Sequence, residues 1–177
     1  MPFIVRDGYG PGEQPPVGLQ NAVCCGVHDL GMQPGFGGEE QHKLVILFET
    51  EAQRTQGDWA GNRFVISKTY TASLNEKATL SKDLESWRGR AFTAEERAGF
   101  DLETVIGKPC TLNLIEKTTQ KGKVMVVIGS ILPHLKDSAK LTPQNPPTYM
   151  PKWIKQLMAK SAEEEPESTI DNSEVPF

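Results

Sequence analysis

The chain has 177 residues with 19 Lys+Arg, 23 Asp+Glu and a formal charge of -4, which suits one well-packed domain and is short for two. The charge is uneven: residues 161–177 carry six acids and no Lys or Arg, leaving 19 basic against 17 acidic residues over 1–160, a body near +2 with a tail of -6. That body admits a polyanionic partner, whereas apolar runs of at most five residues, Leu44–Phe48 and Val124–Ile128, exclude a bilayer-spanning helix of roughly 20.

Met1-Pro2-Phe3-Ile4-Val5-Arg6-Asp7-Gly8 lacks the basic-then-apolar order of a signal peptide, so a soluble, cytoplasmic protein is expected. Nine of the 16 glycines fall within the first 38 residues. Residues 1–16 add Pro2, Pro11, Pro15 and Pro16 and show no periodic apolar pattern, predicting a flexible arm. A strand is predicted over Val17–Met32, with Gly26 and Gly31 marking the bulges that a small closed barrel needs to curl. After a turn at 33–38, a second strand covers His42–Glu51 and a polar loop Arg54–Asn62. A third strand, rich in β-branched and aromatic residues, covers Arg63–Leu74.

The period then changes. Leu80, Leu84 and Trp87 stand at i, i+4 and i+7, predicting a helix over Ala78–Trp87 that Gly89 ends. Thr93 and Glu96 have capping-box spacing for a second short helix, and Asp101 caps a third short turn closing at Gly107. Two strands, Cys110–Lys117 and Lys123–Leu132, flank a hairpin turn at 118–122. Residues 136–160 read as a Pro-rich linker with a short amphipathic helix, Trp153–Met158, and 161–177 as a disordered acidic tail.

The expected fold is therefore mainly β. Three strands, a helical insert between strands 3 and 4, and a final hairpin are the layout of a five-stranded, partly open Greek-key barrel, the OB-fold, here over 17–135. Cys24 and Cys25 are adjacent, and neighbouring strand residues face opposite ways. With Cys110 distant, the three are read as reduced structural thiols, with neither a disulfide framework nor a metal site. There is no GxSxG elbow, P-loop, HExxH or strand–GxGxxG–helix, and the acids lie on predicted helices or in the tail. No enzyme, metal or cofactor is expected.

Two features remain. The first is the C-terminus, where Asp171 and Glu174 precede an apolar Val175-Pro176-Phe177 bearing the α-carboxylate. Such a tip suits an apolar pocket with a basic rim on another protein. These residues resemble the acidic tip of bacterial single-stranded DNA-binding proteins. The body resembles a family of phage and prophage single-stranded DNA-binding or replication-associated proteins. Its matching pieces are Asp29-Leu30-Gly31-Met32-Gln33, Ile66-Ser67-Lys68-Thr69-Tyr70-Thr71 and Asp83-Leu84-Glu85-Ser86-Trp87-Arg88-Gly89-Arg90, with Gly107-Lys108-Pro109-Cys110 and Trp153-Ile154. The resemblance implies an OB-fold that binds single strands through its sheet without catalysis, and replication or recombination proteins recruited by the tip. It also implies the host cytoplasm if phage-encoded, with a homo-oligomer left open.

The second feature is an aromatic and basic set. A single-strand groove needs cations along the phosphate path and exposed rings on which bases stack. The candidates are Phe36 in the first turn, Arg54 and Trp59 in the polar loop, Arg63, Lys68 and Tyr70 on the third strand, and Lys121 and Lys123 on the last hairpin. Lys68 and Tyr70 share one face with Phe64 and Ile66, so Tyr70 is equally a core candidate, while Trp87 is read as core. The expected function is sequence-independent binding of single-stranded DNA, with the acidic tail able to compete for the groove. The alternatives are a strand-annealing or recombination accessory protein that oligomerises through 78–106, or a protein-docking module that binds no DNA.

Overall fold

The computed structural model describes residues 13–35 and 37–164. Five strands, β1 (Gly18–Pro34), β2 (Glu40–Gln53), β3 (Arg63–Thr71), β4 (Pro109–Thr118) and β5 (Val124–Leu132), form one antiparallel sheet ordered β3-β2-β1-β4-β5. Helices α1 (Thr79–Arg88) and α2 (Ala94–Ala98) lie between β3 and β4 in sequence, and α3 (Lys152–Glu164) follows β5. The edge strands β3 and β5 approach one another, and α1 touches both.

The centre of β2 is apolar without interruption because both of its faces are buried. Leu44, Ile46 and Phe48 enter an inner core with Ala22, Cys24, Tyr70, Leu84, Trp87, Cys110 and Leu112. Val45 and Leu47 enter an outer core with Cys25, Leu30 and Ile154. Cys24 and Cys25 thus separate onto opposite faces, beside a bulge between Cys24 and Gly26. All three cysteines are free and buried, and burial pushes the Cys24 thiol up to about 12, so it stays protonated.

Trp87 is core, as its spacing predicts: it is buried, tilted against Phe48 at 5.5 Å, and donates from its indole nitrogen to the Pro109 carbonyl at 2.9 Å. The capping box forms as expected. Glu96 N–H donates to the Thr93 hydroxyl at 3.2 Å, and Thr93 N–H to Glu96 Oε1 at 3.1 Å.

Two segments differ from the sequence reading. Residues 13–16 are tied to the body: Thr55 and Gln56 N–H donate to the Glu13 carboxylate, and Val126 N–H donates to Gln14 Oε1 at 3.1 Å. The hydrogen bond from the Thr55 hydroxyl, foremost, lowers the Glu13 pKa. Residues 136–151 are no free linker; they form a strap across the outer face of β1–β3. Asn21 Nδ2 donates to the Ala139 carbonyl at 2.7 Å, and His28 Nε2 to the Tyr149 carbonyl at 2.8 Å. Gln144 and Asn145 N–H donate to the Glu49 carboxylate at 2.9 and 3.1 Å.

The strap delivers α3, which seats Ile154, fully buried, on the outer core. The helix also runs beyond the predicted Met158 to Glu164, so residues 161–164 belong to it rather than to the tail. Gly31 makes that closure feasible. It holds φ +68° at the second bulge of β1, a backbone conformation that favours glycine, and a Cβ there would lie 2.5 Å from Ser161 Oγ, so a larger residue would have to displace that hydroxyl. Among the described residues no helix is long and apolar enough to cross a membrane.

Candidate nucleic-acid interface

Register defines which loops meet. Ala22 pairs with Thr50 and Gly18 with Leu114, so the start of β1 and the ends of β2 and β4 share one end of the sheet. The β2–β3 loop (54–62) and the β4–β5 turn (119–123) therefore lie at that end, joined by the Glu13–Gln14 contacts. The loop is held by backbone hydrogen bonds from Arg54 N–H to the Asn62 carbonyl at 2.8 Å and from Gly61 N–H to the Arg54 carbonyl at 2.7 Å. On this frame a 3₁₀ turn, Gly57–Trp59, presents Trp59 with 68% of its surface exposed.

Across the end, the turn is closed by Thr119 N–H donating to the Lys123 carbonyl at 2.7 Å and Lys123 N–H donating to the Thr119 hydroxyl at 3.2 Å. Lys121 and Lys123 are both exposed there, as is Lys117 at the end of β4. Lys117 was not among the sequence candidates, although it directly precedes the predicted turn; at the end of a strand it looked like an ordinary polar residue.

The remaining candidates are engaged elsewhere. Arg54 is half-buried, stacked over the Phe64 ring at 4.8 Å and donating to the Glu13 carbonyl at 3.3 Å. Arg63 lies 3.5 Å from Glu49, whose side chain is fully buried, and donates to the Thr142 carbonyl at 2.8 Å. It anchors the strap rather than lining an open groove. Lys68 and Tyr70 do share a face, as expected, but that face is the interior. Both converge on Asp83 Oδ2 of α1, Lys68 Nζ at 2.7 Å and the Tyr70 hydroxyl donating at 2.8 Å.

Tyr70 is 2% exposed and cannot serve as a stacking platform. Burial, reinforced by Asp83, pushes its phenol further up, so it stays protonated and donating. Phe36 and the tip residues Asp171, Glu174, Val175, Pro176 and Phe177 lie outside the described residues.

The candidate site is thus an exposed indole and exposed lysines carried on loops at the same end of the sheet, rather than on its face. It can stack a ring and neutralise phosphates, the two operations sequence-independent binding of a single strand requires. Among the described residues, no group of three or more His, Cys, Asp or Glu is placed to hold a metal ion. No protein-family model matches the chain, and no curated protein matches its sequence.

Proposed function

We propose that this chain is a sequence-independent single-stranded DNA-binding protein, built on an OB-fold, that protects single strands in replication or recombination. The observation that carries the reading is the pairing, at one end of the sheet, of the exposed Trp59 loop with the lysine-bearing β4–β5 turn. The fold supports it. The order β3-β2-β1-β4-β5, with β3 nearing β5 and helices between β3 and β4 in sequence, is compatible with the five-stranded barrel that commonly binds oligonucleotides.

In this reading the strand crosses the loop end, bases stack on Trp59, and Lys117, Lys121 and Lys123 meet phosphates. The C-terminal tip recruits partner proteins. The protein acts in the cytoplasm, without catalysis.

The test is a titration of oligothymidine into the full chain at two salt concentrations, following tryptophan fluorescence. Quenching that weakens as salt rises is expected, because phosphate contacts release counterions. No quenching and no change in anisotropy of a labelled oligothymidine at low salt would overturn the reading. A second reading, a docking module that binds no DNA, is favoured by one observation: the strap and α3 cover the outer face of β1–β3. The same titration separates the two.

A further inference from the structure

Helix α3 packs on the sheet with one face and leaves the other to solvent. Ile154 and Ser161 are buried, and Leu157 and Met158 pack against the outer core. At 3.6 residues per turn, Lys152, Trp153, Lys155 and Lys160 fall on the arc away from Ile154 and Ser161, and all four are exposed. Trp153 leaves 40% of its surface open. From Lys152 to Ser161 the helix carries three lysines and no acid; the first acid is Glu163.

A second exposed ring, Tyr149, stands just before the helix. The backbone that carries both rings is ordered by hydrogen bonds. Tyr149 N–H donates to the Pro146 carbonyl at 2.8 Å, and Ile154 N–H donates to the Pro151 carbonyl at 3.0 Å. Rings for stacking beside cations for phosphates are what a single strand needs. A basic helix lying on a membrane would instead insert its apolar face. Here that face is already seated on Cys25, Leu30, Val45 and Leu47, which favours a nucleic acid over a lipid surface.

The strap joins this face to the loop end of the sheet. It meets Asn21 and Arg63 there, then Glu49, and reaches His28 before α3 begins. Beyond that, the Ser161 hydroxyl donates to the Met32 carbonyl at 3.2 Å. Met32 lies ten residues past Ala22 on β1, about 33 Å at strand rise.

We propose that the outward face of α3 is a second contact for the same single-stranded DNA, with a base stacked on Trp153 and phosphates at Lys152, Lys155 and Lys160. The strand passes from the loop end along the strap, which stays in place. The inference rests on the DNA-binding reading and extends it, because the loop end alone could serve a short strand.

The test is anisotropy of a labelled oligothymidine of about 30 nucleotides, longer than the ~4–16 of a single OB-fold, with the full chain at several salt concentrations. Trp153→Ala is expected to weaken binding about fivefold or more. Lys152→Gln with Lys155→Gln should lower the slope of log affinity against log salt by about 1.4, at about 0.7 per phosphate. The control is Lys77→Gln with Lys82→Gln, which removes the same charge from exposed positions at α1 and should lower the slope less. An α3 pair that changes the slope no more than the control would overturn the proposal, whatever Trp153→Ala does, since that ring is partly packed and its loss can loosen α3 by itself. Binding to anionic phospholipid vesicles that needs Lys152 and Lys155, with the oligothymidine slope unchanged, would likewise overturn it and assign the face to a membrane. A parent chain that binds no oligothymidine would overturn the DNA-binding reading itself, and this proposal with it.

Discussion

Replacing Trp59 by alanine isolates the proposed stacking platform. The ring is 68% exposed, and its turn is held by backbone hydrogen bonds, among them Asn62 N–H donating to the Trp59 carbonyl at 3.0 Å. These survive the substitution, so the change in stability should stay within about 0.5 kcal/mol. A base stacked on an aromatic ring is worth about 1–3 kcal/mol, and each 1.4 kcal/mol is about tenfold in affinity. Trp59→Ala should therefore weaken oligothymidine binding by about 5- to 150-fold with the melting temperature nearly unchanged.

Tyr70→Phe is the matched control. It removes the hydroxyl that donates to Asp83, a hydrogen bond to a charged acceptor worth about 1.5–3 kcal/mol. It should lower stability and leave the affinity of the folded protein as it was. Anisotropy of a labelled oligothymidine reads the first quantity and urea denaturation the second. Unchanged affinity in Trp59→Ala together with weakened affinity in Tyr70→Phe would refute the assignment of the loop as platform and the sheet interior as structure.

Three further outcomes follow from the same contacts. Lys121→Ala and Lys123→Ala should each reduce the slope of log affinity against log salt by about 0.7, the value per neutralised phosphate on a single strand, as measured by titration at several salt concentrations. The Phe92 N–H foremost lowers the Glu85 pKa, and the Thr93 N–H does the same for Glu96, from an ordinary value near 4.5. Their stabilisation is therefore complete above about pH 4.5 and is lost as pH falls through the lower folded values. The urea midpoint should hold from neutrality to pH 5 and fall below that, less steeply in Glu85→Gln. Glu49→Ala leaves Arg63 and the Gln144 and Asn145 N–H groups without their carboxylate. Breaking a buried pair of this kind costs about 3–5 kcal/mol, and circular dichroism in urea should show it.

The strands were legible because period and punctuation agree with burial. Alternation in β3 sends Ile66 and Tyr70 inward, and Gly26 and Gly31 of β1 sit at its bulges. The α1 face formed by Leu80, Leu84 and Trp87 is buried as its spacing requires. The cations on β3 were misread for a physical reason: a sequence shows charges, not pairs. Arg63 and Lys68 meet Glu49 and Asp83, each about 15 residues away along the chain, and only the fold brings them together.

The strap was illegible because it docks largely through backbone groups, the carbonyls of Ala139, Thr142 and Tyr149 and the N–H of Gln144 and Asn145, which every residue type carries. One signal did exist. Glu49 directly follows the apolar run Leu44–Phe48, and a carboxylate at the end of a strand buried on both faces demands donors from somewhere.

The strap also decides where a strand of nucleic acid can lie. On the outer face of β1–β3 a ligand would first have to lift α3, exposing Ile154 at about 1.5–3 kcal/mol for a fully buried aliphatic side chain. It would also have to detach the Glu49 carboxylate from two backbone donors, at a further cost of about 1–3 kcal/mol or more for each buried group left unsatisfied. At about 1–3 kcal/mol per stacked base, several nucleotides would have to bind before that face returned any net affinity. A strand laid across Trp59 and the β4–β5 turn leaves the strap and α3 in place and gains from its first stacked base. The energetics therefore favour the loop end over the covered face for the proposed interface.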